Sequence, residues 1–399
     1  MVQCLDRIIA SMDTGVDDAL ALAYLLGSAD ECELSGVIAS YGNVDANTAY
    51  ANTRAVLDLF GRADIPVFLG SEHPSWADAF IPDAGCAQFH GDDGLGNTWL
   101  AGSGALADGA GVPGDMSGDD MSVDVPDGVV SVGGYLAGDV HAHPALGSYP
   151  RVGRSRSVDR PQSATSTALV SGGTRRCSVD AADGIEYLIE QVREFGRDVT
   201  VLSTGPLTDV DAAITRAPDI ASKLRLVMMG GTLTQPGNCW DAAAETNIIQ
   251  DPEAANRVFH SGADITMVGL DVTHQCLLPQ SAADRWRATG TKRGRFLADL
   301  ADFSIKANLE ADPALFSGGM PLHDPLAAAV ALDSSLVDCF DLALRAETNT
   351  GDFNGVRGRT TGDPVGLVNH SMPHVHVALG VDSGRFLDEF AERMAEVCR

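Results

Sequence analysis

Two hydrophobic rhythms alternate along this chain. Dense apolar runs at Arg7–Met12, Leu34–Ser40, Val67–Leu69, Val199–Ser203, Leu224–Met229 and Ile265–Leu270 have the length of buried strands. Apolar positions spaced three and four apart predict helices over Asp17–Leu26, Ala46–Leu59, Ile185–Phe195, Leu207–Arg216, Pro252–Ser261, Asp324–Leu332 and Arg385–Val397. Pro252 suits a first helical turn, where its missing N–H leaves nothing unpaired. Strands alternating with helices in this way predict an α/β fold: a Rossmann-like, open, mostly parallel sheet flanked by helices.

One stretch breaks the pattern. From about Thr98 to Val179 the chain is rich in Gly, Ser, Asp and Pro and shows little periodicity. Its first half is acidic (Asp115, Asp119, Asp120, Asp124, Asp127) and its second half basic (Arg151, Arg154, Arg156, Arg160, Arg175, Arg176). Such a composition buries too little apolar surface to offset its ordering entropy. The expectation for residues 98–179 is a mobile, solvated insert; a partner-binding arm is the sharper alternative.

Composition narrows the function classes. A net charge of −28 disfavours nucleic acid and acidic membranes as partners. No apolar run approaches the roughly 20 residues of a membrane span. The eight cysteines are scattered without a Cys-x-x-Cys pair, which argues against zinc and for reduced thiols. The first strand leaves no room for a signal peptide, so the expected location is the cytoplasm.

The most informative segment is Met12-Asp13-Thr14-Gly15-Val16-Asp17-Asp18, where the first strand hands over to a helix. Ligands of open α/β sheets bind at such strand ends. Three carboxylates this close repel one another unless a cation or several hydroxyl donors sit among them, and hard oxygen donors favour Ca²⁺ or Mg²⁺. A plainer reading makes Asp17 and Asp18 helix-capping acids, but it leaves Asp13 and Gly15 unexplained.

Further clusters are weaker taken singly. Leu202-Ser203-Thr204-Gly205-Pro206-Leu207-Thr208 is another strand-to-helix turn, whose carbonyls fall at the same sheet edge as Asp13. Met228-Met229-Gly230-Gly231 precedes Asn238 and then Glu245 and Asn247, which alternate as if on an extended piece facing a polyhydroxyl ligand. Leu322-His323-Asp324-Pro325 opens a helix, and Phe89-His90-Gly91 lies in a glycine-rich loop that lacks a Walker lysine. Asn43 follows the second strand.

In this order the clusters resemble the inosine-uridine type nucleoside hydrolase family. The likeness covers residues 7–97 and about 180–399, and includes Ala244–Ala255, Gly269–Gln275 and Leu322–Ala327. It implies cleavage of the N-glycosidic bond of ribonucleosides, in nucleoside salvage, by one fold whose early and late motifs meet in one pocket; that makes 1–399 a single domain. It also implies one Ca²⁺ held by Asp13, Asp18, Asp324 and the Thr204 carbonyl, with Asp13 as the base that deprotonates a calcium-bound water. Asp17 and Asn247 are then expected at the ribose 2′- and 3′-hydroxyls, Asn238 and Glu245 at the 5′-hydroxyl, and Met229 and Asn43 nearby. His90 and His323 fall at the base end, with His323 the expected proton donor to the departing base. The family also implies a homodimer or homotetramer.

Three departures stand out. Ser11 and Thr14 replace an Asp and a Pro usual in the family, and weaker support of Asp13 is expected from Ser11. The loop from Met229 to Glu245 is slightly long, and Phe303–Phe316, expected along the base pocket, lacks the tyrosines often found there. Two other classes compete: a catalytically weak ribose- or nucleoside-binding protein, and a phosphatase with Asp13 as nucleophile. Against the second stand the absence of an Asp two residues after Asp13 and of a nearby phosphate-binding lysine.

Overall fold

Strand β1 (Asp6–Met12) runs from an exposed start into full burial. Ile8, Ala10 and Met12 enter one apolar core and Ile9 another. A strand covered on both faces reads as a continuous apolar run, because neither face meets water. The computed structural model describes residues 5–82, 84–98, 181–239, 242–350, 356–363 and 372–399, all within one compact unit. The expectation of a mobile insert concerns residues that, from 99 to 179, lie outside the described ones.

The other strands are β2 (Cys32–Ala39), β3 (Val67–Leu69), β4 (Val199–Ser203), β5 (Arg225–Met229), β6 (Asp264–Val268), β7 (Leu277–Leu278), β8 (Met320–Pro321), β9 (Val337–Ala346), β10 (Thr360–Asp363) and β11 (Val375–Val381). The helices are α1 (Val16–Gly27), α2 (Ala46–Leu59), α3 (Ala84–His90), α4 (Ala181–Phe195), α5 (Thr208–Arg216), α6 (Thr246–Gln250), α7 (Pro252–Phe259), α8 (Leu270–Thr273), α9 (Gln280–Ala288), α10 (Lys292–Ala311), α11 (Pro313–Phe316), α12 (His323–Leu332) and α13 (Ser383–Val397). Nine strands form one sheet in the order β10-β9-β11-β6-β5-β4-β1-β2-β3. The run from β11 to β3 is parallel, whereas β9 pairs antiparallel with both β11 and β10.

The mostly parallel α/β sheet is therefore as expected. Its topology also locates the site. The chain moves outward from β1 to β3, returns to β4 beside β1, and then moves the other way. The strand order reverses between β1 and β4, and the crevice beyond their carboxyl ends is where open α/β sheets bind ligands. Asp13 leaves β1 and Thr204 leaves β4 at that point.

The periodicity did not reveal β9, β10, β11, α9 or α10. The first half of β9 exposes Asp338, Cys339, Phe340 and Asp341, so no apolar run marks it. The expected strand Ile265–Leu270 stops at Val268, because Gly269 caps α8. Among the described residues, no helix is long and apolar enough to cross a membrane.

Helix α13 closes one core. Phe390 is fully buried, its ring 5.7 Å from Tyr24 of α1 and 6.3 Å from Trp286 of α9. Replacing it leaves a cavity among three helices. Phe390→Ala should cost about 3–5 kcal/mol in urea unfolding; a loss under about 1 kcal/mol would mean the helix contributes little to the core.

Candidate active site

Asp13 is enclosed by backbone. Its Oδ2 accepts the Asn43 N–H at 2.6 Å. A Cβ on Gly42 would fall 1.9 Å from that oxygen, and one on Gly205 would fall 2.9 Å from Oδ1. Both glycines are thus required by close approach, since any side chain there displaces the carboxylate. Oδ1 itself is buried and has no hydrogen-bond partner.

Helix α1 supplies the next two acids. Asp18 caps its own helix: Oδ2 accepts the Gly15 N–H at 2.8 Å and the Asn43 side-chain amide at 3.3 Å. Its Oδ1 accepts the Thr204 hydroxyl at 2.6 Å. The capping reading thus accounts for part of Asp18. It does not account for Asp17, whose Oδ1 is buried without a hydrogen-bond partner. Gly15 is explained by packing: a Cβ there would lie 2.3 Å from His90 Nδ1 and 2.7 Å from Asn43 Nδ2.

Asp324, in the first turn of α12, completes the cluster. Oxygens of Asp17, Asp18 and Asp324 lie within 4.8 Å of one another. Asp13 lies outside this triplet, but its charge acts on all three: it repels Asp324 and is itself repelled by Asp18 and Asp17. Burial, foremost, and then this repulsion push Asp13 and Asp324 well above the usual carboxylate range. Burial alone is the main cause for Asp17, raised to about 6, and for Asp18, which Asp17 also raises. Among the described residues no lysine or arginine pairs with any of the four. A divalent cation fits this donor set: hard oxygens only, two of them unpartnered, and an uncompensated negative charge.

Two side chains tie the strand ends together. The Asn247 amide donates to the Thr204 carbonyl at 2.7 Å and to the Met229 carbonyl at 3.2 Å, bridging β4 and β5. Glu245 accepts the N–H groups of Gly231, Asn247 and Ile248 at 2.8, 2.9 and 3.2 Å. The extended piece expected for Glu245 and Asn247 is instead a helix start: Glu245 caps α6, and Asn247 sits in its first turn. A carboxylate that accepts successive backbone N–H groups favours a helix over a strand. Asn238 is exposed and accepts from Thr246 at the entry of α6.

The histidines lie at one side. His90 Nδ1 accepts the Val16 N–H at 3.2 Å and lies 3.7 Å from Asp17 Oδ1. Burial lowers its pKa to about 4, so Nδ1 is a lone-pair acceptor and the ring is neutral. His323 Nδ1 pairs with the Thr273 hydroxyl at 2.7 Å. Burial, with His274 and His90, drives its pKa well below the ordinary value. The His274 ring lies 5.6 Å from His323 and 5.5 Å from Phe316, edge-on to the latter.

Sequence reasoning missed Thr273, His274 and the Thr204 hydroxyl. Thr273 and His274 lie inside the Gly269–Gln275 match but carried no signal of their own. Ser11 was expected to weaken the support of Asp13, yet its hydroxyl donates to buried Asp209 at 2.9 Å.

The chain is similar to known nucleoside hydrolases in sequence and in fold. The model of the family described as inosine-uridine preferring nucleoside hydrolase matches residues 8–388. A pyrimidine-specific ribonucleoside hydrolase RihA from Enterobacter sp. (strain 638) is 30% identical over 390 residues, covering 98% of this chain and 97% of the relative. A solved purine-preferring ribonucleoside hydrolase from Gardnerella vaginalis is 34% identical with a TM-score of 0.72, covering 98% of this chain and 99% of that one. A plant nucleoside hydrolase, PpNRh1, is 26% identical with a TM-score of 0.73, again covering 98% and 99%. The chain belongs to the inosine-uridine preferring nucleoside hydrolase family.

Proposed function

We propose that this ribonucleoside hydrolase binds one Ca²⁺ at its carboxylate cluster and cleaves the N-glycosidic bond of ribonucleosides to ribose and free base, in nucleoside salvage in the cytoplasm. The observation that carries this reading is the pair of buried, unpartnered oxygens, Asp13 Oδ1 and Asp17 Oδ1, at the sheet's switch point, where Asp17, Asp18 and Asp324 bring their oxygens together and Asp13 adds its charge. Asp13, Asp18, Asp324 and the Thr204 carbonyl are the residues to hold the cation. When bound, it supplies a Lewis acid that orients ribose hydroxyls and makes water a better nucleophile.

The chain's own groups do the rest. Asp13, backed by Gly42 and Gly205, accepts a proton from the attacking water. Asp17 and Asn247 grip the 2′- and 3′-hydroxyls, and Glu245 with Asn238 takes the 5′-hydroxyl, with Met229 and Asn43 alongside. Carboxylates around the sugar stabilise the positive charge of an oxocarbenium-like transition state. His323 and His90 face the base as neutral rings. Negative charge that grows on the departing base raises the His323 pKa, so that the ring takes up a proton from solvent as the bond breaks and passes it to the base late rather than early.

A catalytically weak binding protein would be favoured by lost support at Ser11 and by the insert; Ser11 has a carboxylate partner in Asp209, and the insert, from 99 to 179, falls outside the described residues. Relatives divide over the base: RihA is named pyrimidine-specific and the Gardnerella enzyme purine-preferring. A panel of inosine, adenosine, guanosine, uridine and cytidine, with Ca²⁺ and with a chelator, decides both questions. Base release that the chelator abolishes is the expected outcome; no release from folded protein contradicts the reading.

Two further outcomes follow from the chemistry. Asp13→Asn removes the base while keeping its shape, and kcat should fall by about 10²- to 10⁴-fold; a change under about threefold would remove Asp13 from proton transfer. Metal binding requires ionised carboxylates. Asp13 and Asp324, two of the residues to hold the cation, are raised well above the usual carboxylate range by burial and by their acidic neighbours, so protonation competes with the cation as pH falls. Ca²⁺ affinity by calorimetry should therefore fall at least tenfold, roughly 1.4 kcal/mol, from pH 7.5 to pH 5. An affinity that does not change with pH would contradict the assignment.

A further inference from the structure

A buried carboxylate that the proposed chemistry does not use lies behind the site. Asp209, in the first turn of α5, is fully buried. Its Oδ2 accepts the Ser11 hydroxyl at 2.9 Å, and its Oδ1 accepts the Ser71 N–H at 2.7 Å. Among the described residues it has no salt-bridge partner; Arg216 acts on it only weakly, behind burial and three hydrogen bonds. A Cβ on Gly70 would lie 2.3 Å from Oδ2, so the chain after β3 is shaped around this side chain.

The partners of Asp209 lead to Asp13 by three routes. Ser11 lies near the end of β1, two residues before Asp13, which follows the strand directly. Ser71 accepts the Tyr41 N–H at 3.1 Å through its carbonyl, and Tyr41 precedes Gly42 and Asn43, which touch Asp13 Oδ2. Helix α5 itself follows Gly205, which flanks Asp13 Oδ1. One carboxylate thus fastens β1, the ends of β2 and β3, and the entry to α5. These are the walls that enclose the Asp13 side chain.

We propose that Asp209 is a positioning residue for Asp13, acting through Ser11 and Ser71, and that it carries the support that Ser11 by itself does not. The inference rests on the reading of Asp13 as cation ligand and base. Asp209 touches neither substrate nor cation. It satisfies a hydroxyl and a backbone N–H that would otherwise be buried without acceptors, and so holds the loops at the spacing Asp13 needs.

The test is a cycle of Ser11→Ala, Asp209→Ala, the double variant and Asp209→Asn, with kcat, KM, Ca²⁺ affinity by calorimetry and thermal unfolding measured for each. Asp209→Ala should lower kcat on the best ribonucleoside and weaken Ca²⁺ binding, each on the order of 10- to 100-fold. KM should change less than about threefold, since the ribose contacts are kept. Asp209→Asn can accept from Ser71 and donate to Ser11, and should restore most of both. The double variant should resemble Asp209→Ala, because Ser11 acts through Asp209. Wild-type kcat and Ca²⁺ affinity in Asp209→Ala would overturn the proposal, and so would Ser11 and Asp209 effects that simply multiply. If Asp209→Ala does not fold, Ser11→Ala alone decides: lowered Ca²⁺ affinity supports the proposal and an unchanged one refutes it. If the wild-type protein hydrolyses no nucleoside, the proposed function fails, while the calorimetric arm still tests Asp209.

Discussion

Four carboxylates buried at one point repel one another, and much of this fold arranges for that repulsion. Asp13, Asp17 and Asp18 come from the junction of β1 and α1 and Asp324 from α12, and all four are buried. Burying one ionised acid without a partner is costly; burying four is not sustainable without a cation or protons. The surroundings supply dipoles instead of positive side chains. Backbone N–H groups of Gly15 and Asn43 and the Thr204 hydroxyl point at the carboxylates. They order the oxygens but do not neutralise them, which leaves a charge deficit for a divalent ion to fill.

The base end follows the opposite logic. There the titratable groups are histidines, and burial keeps them neutral: His90 and His274 are lowered to about 4, and His323 falls well below its ordinary value. A negative pole at the acid cluster and a neutral, aromatic pole at the histidines suit a nucleoside, which is polar at one end and a flat ring at the other. The β7–β8 pair joins the segment carrying Thr273 and His274 to the one carrying His323, so this pole is assembled by a short ladder rather than by the main sheet.

The strands that build the site were legible in the sequence, and the partners that tune it were not. β1, β4 and β5 are buried on both faces, so their apolar runs mark them directly, and Asp13 and Thr204 stand just past the ends of β1 and β4. The far edge was not legible, because four exposed residues follow Val337 in β9 and β11 carries His376 within its apolar run. Asp18–Thr204, Ser11–Asp209 and Thr273–His323 are separated by 186, 198 and 50 residues. No local pattern encodes such pairs. A single serine in place of an acid looked like lost support until its partner was located across the sheet.

A crystal structure grown with Ca²⁺ distinguishes a cation site from a purely structural cluster of acids. One ion is expected, with oxygens of Asp13, Asp18, Asp324 and the Thr204 carbonyl at about 2.3–2.6 Å. An ion held elsewhere, or a cluster that stays empty at neutral pH with saturating Ca²⁺, would contradict the cation site.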